Sequence, residues 1–346
     1  MIEDSLGARS YLWLVSGAAG FIGSHLLEGL LSRGQRVVAF DNFSTGSASN
    51  LEAVKAGVGE DAWGRLRFVE ADLLDLSACR ELCRGVDFVL HQAAVGSVPR
   101  SIDSPLGTHA SNLTGFLNML VAAKEANVRR FVYASSSSVY GDSEEIPKVE
   151  DRTGAPLSPY AVSKVAGELY AGVFSRAYAM RLVGLRYFNV FGPRQNPDGP
   201  YAAVIPKWIS LMLQGKGCVI YGDGYTKRDF CYVDNVVEAN FLAALCNMTD
   251  TCDLPEISGC GPLCGVCNIA ASAEMSLLEL HGMICRKLSL VSGRKIDDTV
   301  TFEAFRPGDI RRSLADVERA RRVLGYVPRF SLEEGLDETI SWFCNT

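Results

Sequence analysis

Tyr11-Leu12-Trp13-Leu14-Val15-Ser16-Gly17-Ala18-Ala19-Gly20-Phe21-Ile22-Gly23 runs from five apolar residues into three glycines, each three apart. The apolar run reads as a buried strand, and the residues beyond the glycines read as a helix continuing to about Arg33. Glycines at Gly17, Gly20 and Gly23 let the backbone come close to a ligand, while the first-turn N–H groups of the helix point at it. That arrangement suits a pyrophosphate. A tight turn that only packs the helix on the strand would use the same glycines.

The pattern repeats along the chain. Short apolar runs at Arg36–Phe40, Leu66–Glu70, Asp87–His91, Arg130–Ser135 and Leu182–Tyr187 alternate with helical stretches, notably Pro105–Ala126 and Ser158–Tyr178. Such alternation predicts an α/β fold with a Rossmann-type, doubly wound parallel sheet. Asp41 ends the second strand, where a carboxylate accepts hydrogen bonds from both ribose hydroxyls and repels a 2′-phosphate. NAD is therefore the expected cofactor rather than its phosphorylated form. Asp41 could alternatively serve only the turn at Asn42. Asp72, ending the third strand, has two readings, an adenine contact or a helix cap.

After Asn189 the alternation stops among Pro193, Pro197 and Pro200, and Val233–Asn247 reads as a helix returning to the sheet. We expect residues 1–188, joined by 226–250, to form the NAD-binding domain. Residues 189–225 and 251–346 are expected to form a smaller substrate-binding lobe, with 250–265 as a surface loop.

Composition sets the outer limits. The 346 residues carry a formal net charge of −6, which argues against a general nucleic-acid surface. No apolar stretch reaches the roughly 18 residues of a membrane span, and Met1–Ser10 does not read as a signal peptide. Eleven cysteines without a framework are expected to be reduced thiols in a cytoplasmic protein. Cys260-x-x-x-Cys264-x-x-Cys267, with Cys252 nearby, has a spacing seen in metal sites, but is read here as free thiols with no metal.

Tyr160-Ala161-Val162-Ser163-Lys164 places a phenol and an ammonium one helical turn apart, on one face. With a hydroxyl from the run Ser135-Ser136-Ser137-Ser138, they compose a proton-transfer apparatus. A free phenol, pKa near 10, is a poor base at neutral pH, and neighbouring positive charge favours its ionised form.

Taken together, the segments GAAGFIGSH, DNFSTG, HQAAVGSVPRS, SSSSVYGD, SPYAVSK, LRYFNVFGPRQ, RDFCYVDN and RPGDIRRSLAD closely resemble the extended short-chain dehydrogenases/reductases, specifically the nucleotide-sugar 4-epimerases and, among them, the UDP-N-acetylglucosamine 4-epimerase type. The resemblance runs from about Tyr11 to Phe343. It implies NAD as a retained cofactor, a UDP-sugar substrate, and a homodimer built on a four-helix bundle. It makes Ser136, Tyr160 and Lys164 catalytic. Besides the three glycines, Asp41 and Asp72, it implies that Phe21, Ile22, Asn42, Ser44, Thr45, Gly46, Leu73, Gln92, Ala93, Ala94 and Tyr187 meet the cofactor, together with Tyr160 and Lys164. Arg228 and Arg306 match pyrophosphate-binding arginines, and Asp309 a ribose-binding carboxylate.

The resemblance also places Gly96, Ser136, Tyr160, Asn189, Ala203 and Ser313 around the hexose, with Ser97 and Arg100 adding polar contacts and Ser137 at the substrate beside the nicotinamide. Lys207 and Trp208 would lie near the uracil, although Trp208 could instead be core, and Val204, Val219 and Tyr221 would also meet the substrate. Relatives restricted to plain hexoses carry Tyr at the position of Ser313, so the smaller residue leaves room for a 2-acetamido group. The expected reaction is therefore interconversion of UDP-N-acetylglucosamine and UDP-N-acetylgalactosamine through a 4-keto sugar, with plain UDP-hexoses as further substrates. A uronic-acid 4-epimerase is an alternative. A nucleotide-sugar dehydratase or decarboxylase is another, disfavoured because no acid neighbours Ser136. A non-catalytic NAD-binding regulator is disfavoured by the intact Tyr160 and Lys164. His91 is expected to shape the nicotinamide pocket, His25, His109 and His281 to be structural, and Asp234 to be a helix N-cap.

Overall fold

The computed structural model describes residues 6, 9–246, 264–305 and 310–345. Seven parallel strands form the main sheet: β1 (Leu12–Ser16), β2 (Arg36–Asp41), β3 (Leu66–Glu70), β4 (Phe88–His91), β5 (Arg130–Ser136), β6 (Leu182–Tyr187) and β7 (Cys264–Ile269). Their spatial order is β7-β6-β5-β4-β1-β2-β3. This is the Rossmann-type sheet anticipated from the alternating apolar runs. The chain leaves β1 toward one edge through β2 and β3, then crosses back to β4 on the other side. Such a reversal opens a crevice at the carboxyl ends of β1 and β4.

Both faces of the sheet are covered, which is why its strands are nearly all apolar. On one face, Leu26, Leu27, Leu30 and Leu31 of helix α1 (Phe21–Ser32) share a core with Val236, Val237 and Phe241. On the other, Phe116, Met119 and Leu120 pack over Phe131 and Tyr133. The long helical stretch expected at 105–126 exists as helix Pro105–His109, a π-helical turn at Ala110–Thr114 and helix Gly115–Glu125. Helix α2 (Pro159–Tyr178) begins where Ser158 Oγ accepts the N–H of Ala161 at 3.1 Å and Pro159 presets the first turn.

β7 corrects one expectation. Residues 264–269 were grouped with the smaller lobe, and 264 and 265 with a loop, yet they pair in register with all six residues of β6. Three short sheets build the smaller lobe, around a core of Phe191, Trp208, Ile209, Ile220, Ile284 and Leu336. In one of them Lys227–Asp229 lies between Glu274–Ser276 and Arg312–Ser313, setting Ser313 beside Arg228. Asp229 is fully buried and accepts the N–H groups of Ala271 and Ala315, each at 3.1 Å, tying this sheet to the chain leaving β7.

Helix α3 (Val233–Leu245) returns to the sheet as expected, but Asp234 is not its N-cap. Tyr232 occupies that position, and Asp234 sits in the first turn, 3.8 Å from His25 Nδ1. His25 is buried, with Nε2 2.9 Å from the Pro193 carbonyl. Cys252 and Cys260 lie outside the described residues, as does the Cys264 side chain. Cys267 packs in the core, and burial pushes its thiol well above the usual range. Among the described residues no helix is long and apolar enough to cross a membrane.

His91 is buried between Phe116 and Phe131, with ring centres 5.4 and 5.6 Å away. Its Nδ1 lies 2.9 Å from Ser16 Oγ, which itself accepts the N–H groups of Gln92 and Ala93. Ser16 must then donate its proton to Nδ1, so the ring is neutral. Burial, reinforced by the Lys164 charge, pushes its pKa down to about 3. The unfolded ring takes a proton near pH 6.5. The contribution of His91 to stability is therefore complete above pH 6.5 and lost as pH falls toward 3, at about 1.4 kcal/mol per pH unit. His91→Asn should flatten the acid limb of the denaturation free energy against pH over this window, measured by urea unfolding.

Candidate active site

A cleft of about 720 Å³ opens at the reversal of strand order. Its first wall is the glycine turn. Gly17 adopts φ +70°, and a Cβ there would stand 2.8 Å from Ala93 Cα, while one on Gly23 would stand 2.0 Å from the Gly17 carbonyl. No side chain caps α1, so its first-turn N–H groups stay available at the cleft. Asp41 holds the turn from behind: one carboxylate oxygen accepts Ala19 N–H at 3.0 Å and the other Phe43 N–H at 2.8 Å. Burial raises its pKa. Asp41 is thus both a turn residue and part of the lining.

Asn42, Ser44, Thr45, Asp72 and Leu73 continue this wall. Asp72 accepts from the Asn42 side chain at 2.8 Å and from Leu74 N–H. It caps no helix; Asp75 does that for the helix Leu76–Leu82. Gly46 does not border the cleft, and its missing side chain lets the loop lie against Ala19 and the Asp41 carboxylate. Opposite, Gln92, Ala93 and Ala94 follow β4. Gln92 Oε1 accepts from Tyr187 Oη at 3.1 Å, Tyr187 Oη accepts from Asn240 at 2.9 Å, and Gln92 Nε2 donates to Asn240 at 3.1 Å. This closed ring fixes the ends of β4, β6 and α3 relative to one another.

The floor brings Ser136, Tyr160 and Lys164 together. Ser136, ending β5, accepts Ser138 N–H at 3.1 Å, and its hydroxyl favours the ionised form of Tyr160. Lys164 donates to the Ala134 carbonyl at 2.8 Å, with its ammonium 5.7 Å from the centre of the Tyr160 ring. Burial raises the Tyr160 pKa against the opposing pull of Ser136. Burial likewise pushes Lys164 down to about 8, with Glu168 pulling it up. The protein alone thus keeps the phenol neutral, and ionising it calls for positive charge from a bound ligand.

Gly96, Ser97, Ser137, Asn189, Arg228 and Ser313 complete the cleft, and Asn189 and Arg228 also border a smaller side pocket. That pocket is lined by Val204, Lys207, Trp208, Val219 and Tyr221. Trp208 is both core and lining, only 2% exposed, with its indole N–H 3.3 Å from the Val219 carbonyl. Ala203 borders neither cavity and is the N-cap of helix Val204–Leu213. Arg100 also falls outside the cleft: its guanidinium lies 4.9 Å from the ring centre of Tyr201, whose hydroxyl bonds Asp103 at 2.6 Å. Arg306 and Asp309 lie outside the described residues. His91 does not border the cleft.

Several lining residues escaped the sequence reading. Lys148, in the loop after Tyr140, is 2% exposed and donates to the Ser143 carbonyl. Gln195 closes the motif GPRQ, and the buried Ser138 hydroxyl has no hydrogen-bond partner among the described residues. No spacing marks Lys148; only the fold carries its loop to Leu314, whose carbonyl accepts Lys148 N–H at 2.7 Å.

Residues 13–250 match the model of the NAD dependent epimerase/dehydratase family. The chain belongs to this family. A UDP-glucose 4-epimerase of Mycolicibacterium smegmatis is 36% identical over 96% of the chain and 98% of its own length. The UDP-N-acetylglucosamine 4-epimerase of Methanobrevibacter ruminantium, solved with UDP-N-acetylmuramic acid, superposes with a TM-score of 0.84 at 36% identity, covering 97% and 99% of the two chains. The UDP-glucuronic acid 4-epimerase of Bacillus cereus, solved with UDP-glucuronic acid and NAD, gives 0.79 at 31%, covering 96% and 99%. The chain is an NAD-dependent epimerase of this group. The glycine turn, whose close approaches leave no room for side chains, fits a dinucleotide, with the first-turn N–H groups of α1 free for its phosphates.

Tyr160→Phe should remove the phenolic proton without disturbing the packing. Its epimerase turnover should fall by at least about 100-fold, while absorbance of the purified protein shows NAD still bound.

Proposed function

We propose that this enzyme interconverts UDP-N-acetylglucosamine and UDP-N-acetylgalactosamine, and accepts plain UDP-hexoses as secondary substrates. The observation that carries this reading is Ser313. It borders the cleft beside Arg228, on a strand held in register by Asp229, and its small side chain leaves space where a phenol would fill it. Admitting an acetamido group is a matter of removing that conflict.

In this reading Tyr160 takes the proton from the sugar 4-hydroxyl, with Ser136 sharing the same oxygen and Lys164 supplying the positive charge beside the phenol. Bound NAD supplies reversible two-electron oxidation at C4. The 4-keto sugar then turns in the cleft while Arg228 and Asn189 hold the diphosphate, and the side pocket takes the uracil, with Arg306 and Asp309 as further nucleotide contacts. Tyr160 finally returns the proton. Among the described residues the only acids lining the cleft are Asp41 and Asp72, both at the nucleotide end. That supports epimerisation over dehydration, which needs an acid near the sugar. The buried Lys148 cation supports a second reading, a uronic acid sugar.

Incubation with UDP-N-acetylglucosamine, UDP-glucose and their uronic forms, with product stereochemistry followed by NMR, compares these readings. Ser313→Tyr should lower kcat/KM for the acetylated substrates by about 10-fold or more and spare UDP-glucose; equal losses on both would sink the assignment.

A homodimer is part of the proposal. Ile102, Leu106, Val162, Leu169 and Val173 are exposed on helices that pack side by side. Leu106→Glu with Leu169→Glu should yield a monomer by light scattering.

A further inference from the structure

One turn beyond Lys164, helix α2 presents a carboxylate that the reaction itself does not use. Glu168 is 8% exposed. Its Oε1 accepts Ser135 Oγ at 2.5 Å and Arg186 Nε at 2.9 Å, and its Oε2 accepts Arg186 Nη2 at 2.7 Å. Ser135 directly precedes Ser136 on β5, and Arg186 directly precedes Tyr187 on β6. The two pairs are in register across the strands. One side chain therefore fastens the helix carrying Tyr160 and Lys164 to both strand ends, one residue behind the cleft floor. A buried ion pair is a poor means of gaining stability, because desolvation offsets most of its attraction. Its placement calls for another explanation.

We infer that Glu168 is a positioning residue of the epimerase: it sets the spacing of Ser136 against Tyr160 and supplies the negative charge that Lys164 faces inside the fold. The surroundings support this. Lys164 faces Tyr160 on its own helix, the Ala134 carbonyl of β5 and the neutral His91 of β4, so Glu168 is the anion beside it among the described residues. Glu168 in turn faces Arg186 from β6 and, through it, the Tyr140 hydroxyl at 3.1 Å and the Glu150 carbonyl at 2.9 Å. Arg319 lies 3.8 Å beyond, on Glu150. β7 contributes the uncharged Asn268 amide, which accepts from Tyr140 at 2.6 Å. Burial lowers the Lys164 pKa, and Glu168, one helical turn away, opposes that shift.

The test compares NAD-loaded wild type, Glu168→Gln, and Glu168→Gln combined with Arg186→Met, on whichever UDP-sugar the wild type turns over fastest, with kcat and KM taken from pH 6 to 10. Glu168→Gln should lower kcat about 10-fold, leave KM within about twofold, and move the alkaline limb of kcat toward acid by at least about half a pH unit. The single variant leaves Arg186 buried without its partner and should melt early. The double variant removes that lone charge and should regain stability while keeping the low kcat and the shifted limb. Recovery of kcat together with stability, or an alkaline limb that stays in place in both variants, would overturn the inference.

Discussion

Everything in this enzyme depends on how closely Gly17 approaches Ala93. β1 lies between β2 and β4, and the chain departs from it toward one edge of the sheet before returning to the other. The turns after β1 and β4 therefore diverge, and a crevice must form where they part. At its narrowest the two backbones are so near that a single methyl group on Gly17 would strike Ala93. The width of the crevice follows from that contact, which Ser16 reinforces by binding the N–H groups of Gln92 and Ala93 and handing its own proton to His91.

The parts visible in the sequence were those whose signal is local. Apolar runs of four to seven residues mark β1 to β6 because strands covered on both faces tolerate few polar residues. A phenol and an ammonium one turn apart are readable because a helix enforces that spacing. β7 was not readable. Its CGVCNI carries two cysteines, a glycine and an asparagine in place of a branched apolar run, and is called into the sheet by β6, far away in the chain. Lys148 escaped for the same reason, since it reaches the cleft only through a bridge between its loop and Ala315. Arg100 misled in the opposite way: its neighbours border the cleft, but Tyr201 offers its guanidinium an aromatic face instead. Asp234 resembled a cap because it precedes an apolar helix, yet the helix begins one residue earlier.

Several polar groups behind the floor are paired with one another. Glu168, Arg186, Ser135, Tyr140, Asn268 and Glu150 form one connected network spanning α2 and the ends of β5, β6 and β7. Such networks specify one arrangement of the backbone more than they stabilise it, since any shift leaves a charge buried alone. A catalyst that must oxidise a sugar and then reduce it again benefits from that rigidity. In the proposed reaction the cleft has to suit the keto intermediate in two orientations, so the constancy must come from the protein.

Asn189 and Arg228 border both the main cleft and the side pocket, and in the proposed reading this shared boundary divides labour between the two cavities. On one side of it lie the residues that hold the ligand's unreactive half; on the other lie those that change its sugar. Substitutions in the side pocket would then alter how long a ligand stays, and those in the cleft what happens during the stay. A lineage could exchange one sugar for another by altering a few cleft positions such as Ser313, while inheriting its nucleotide handle intact.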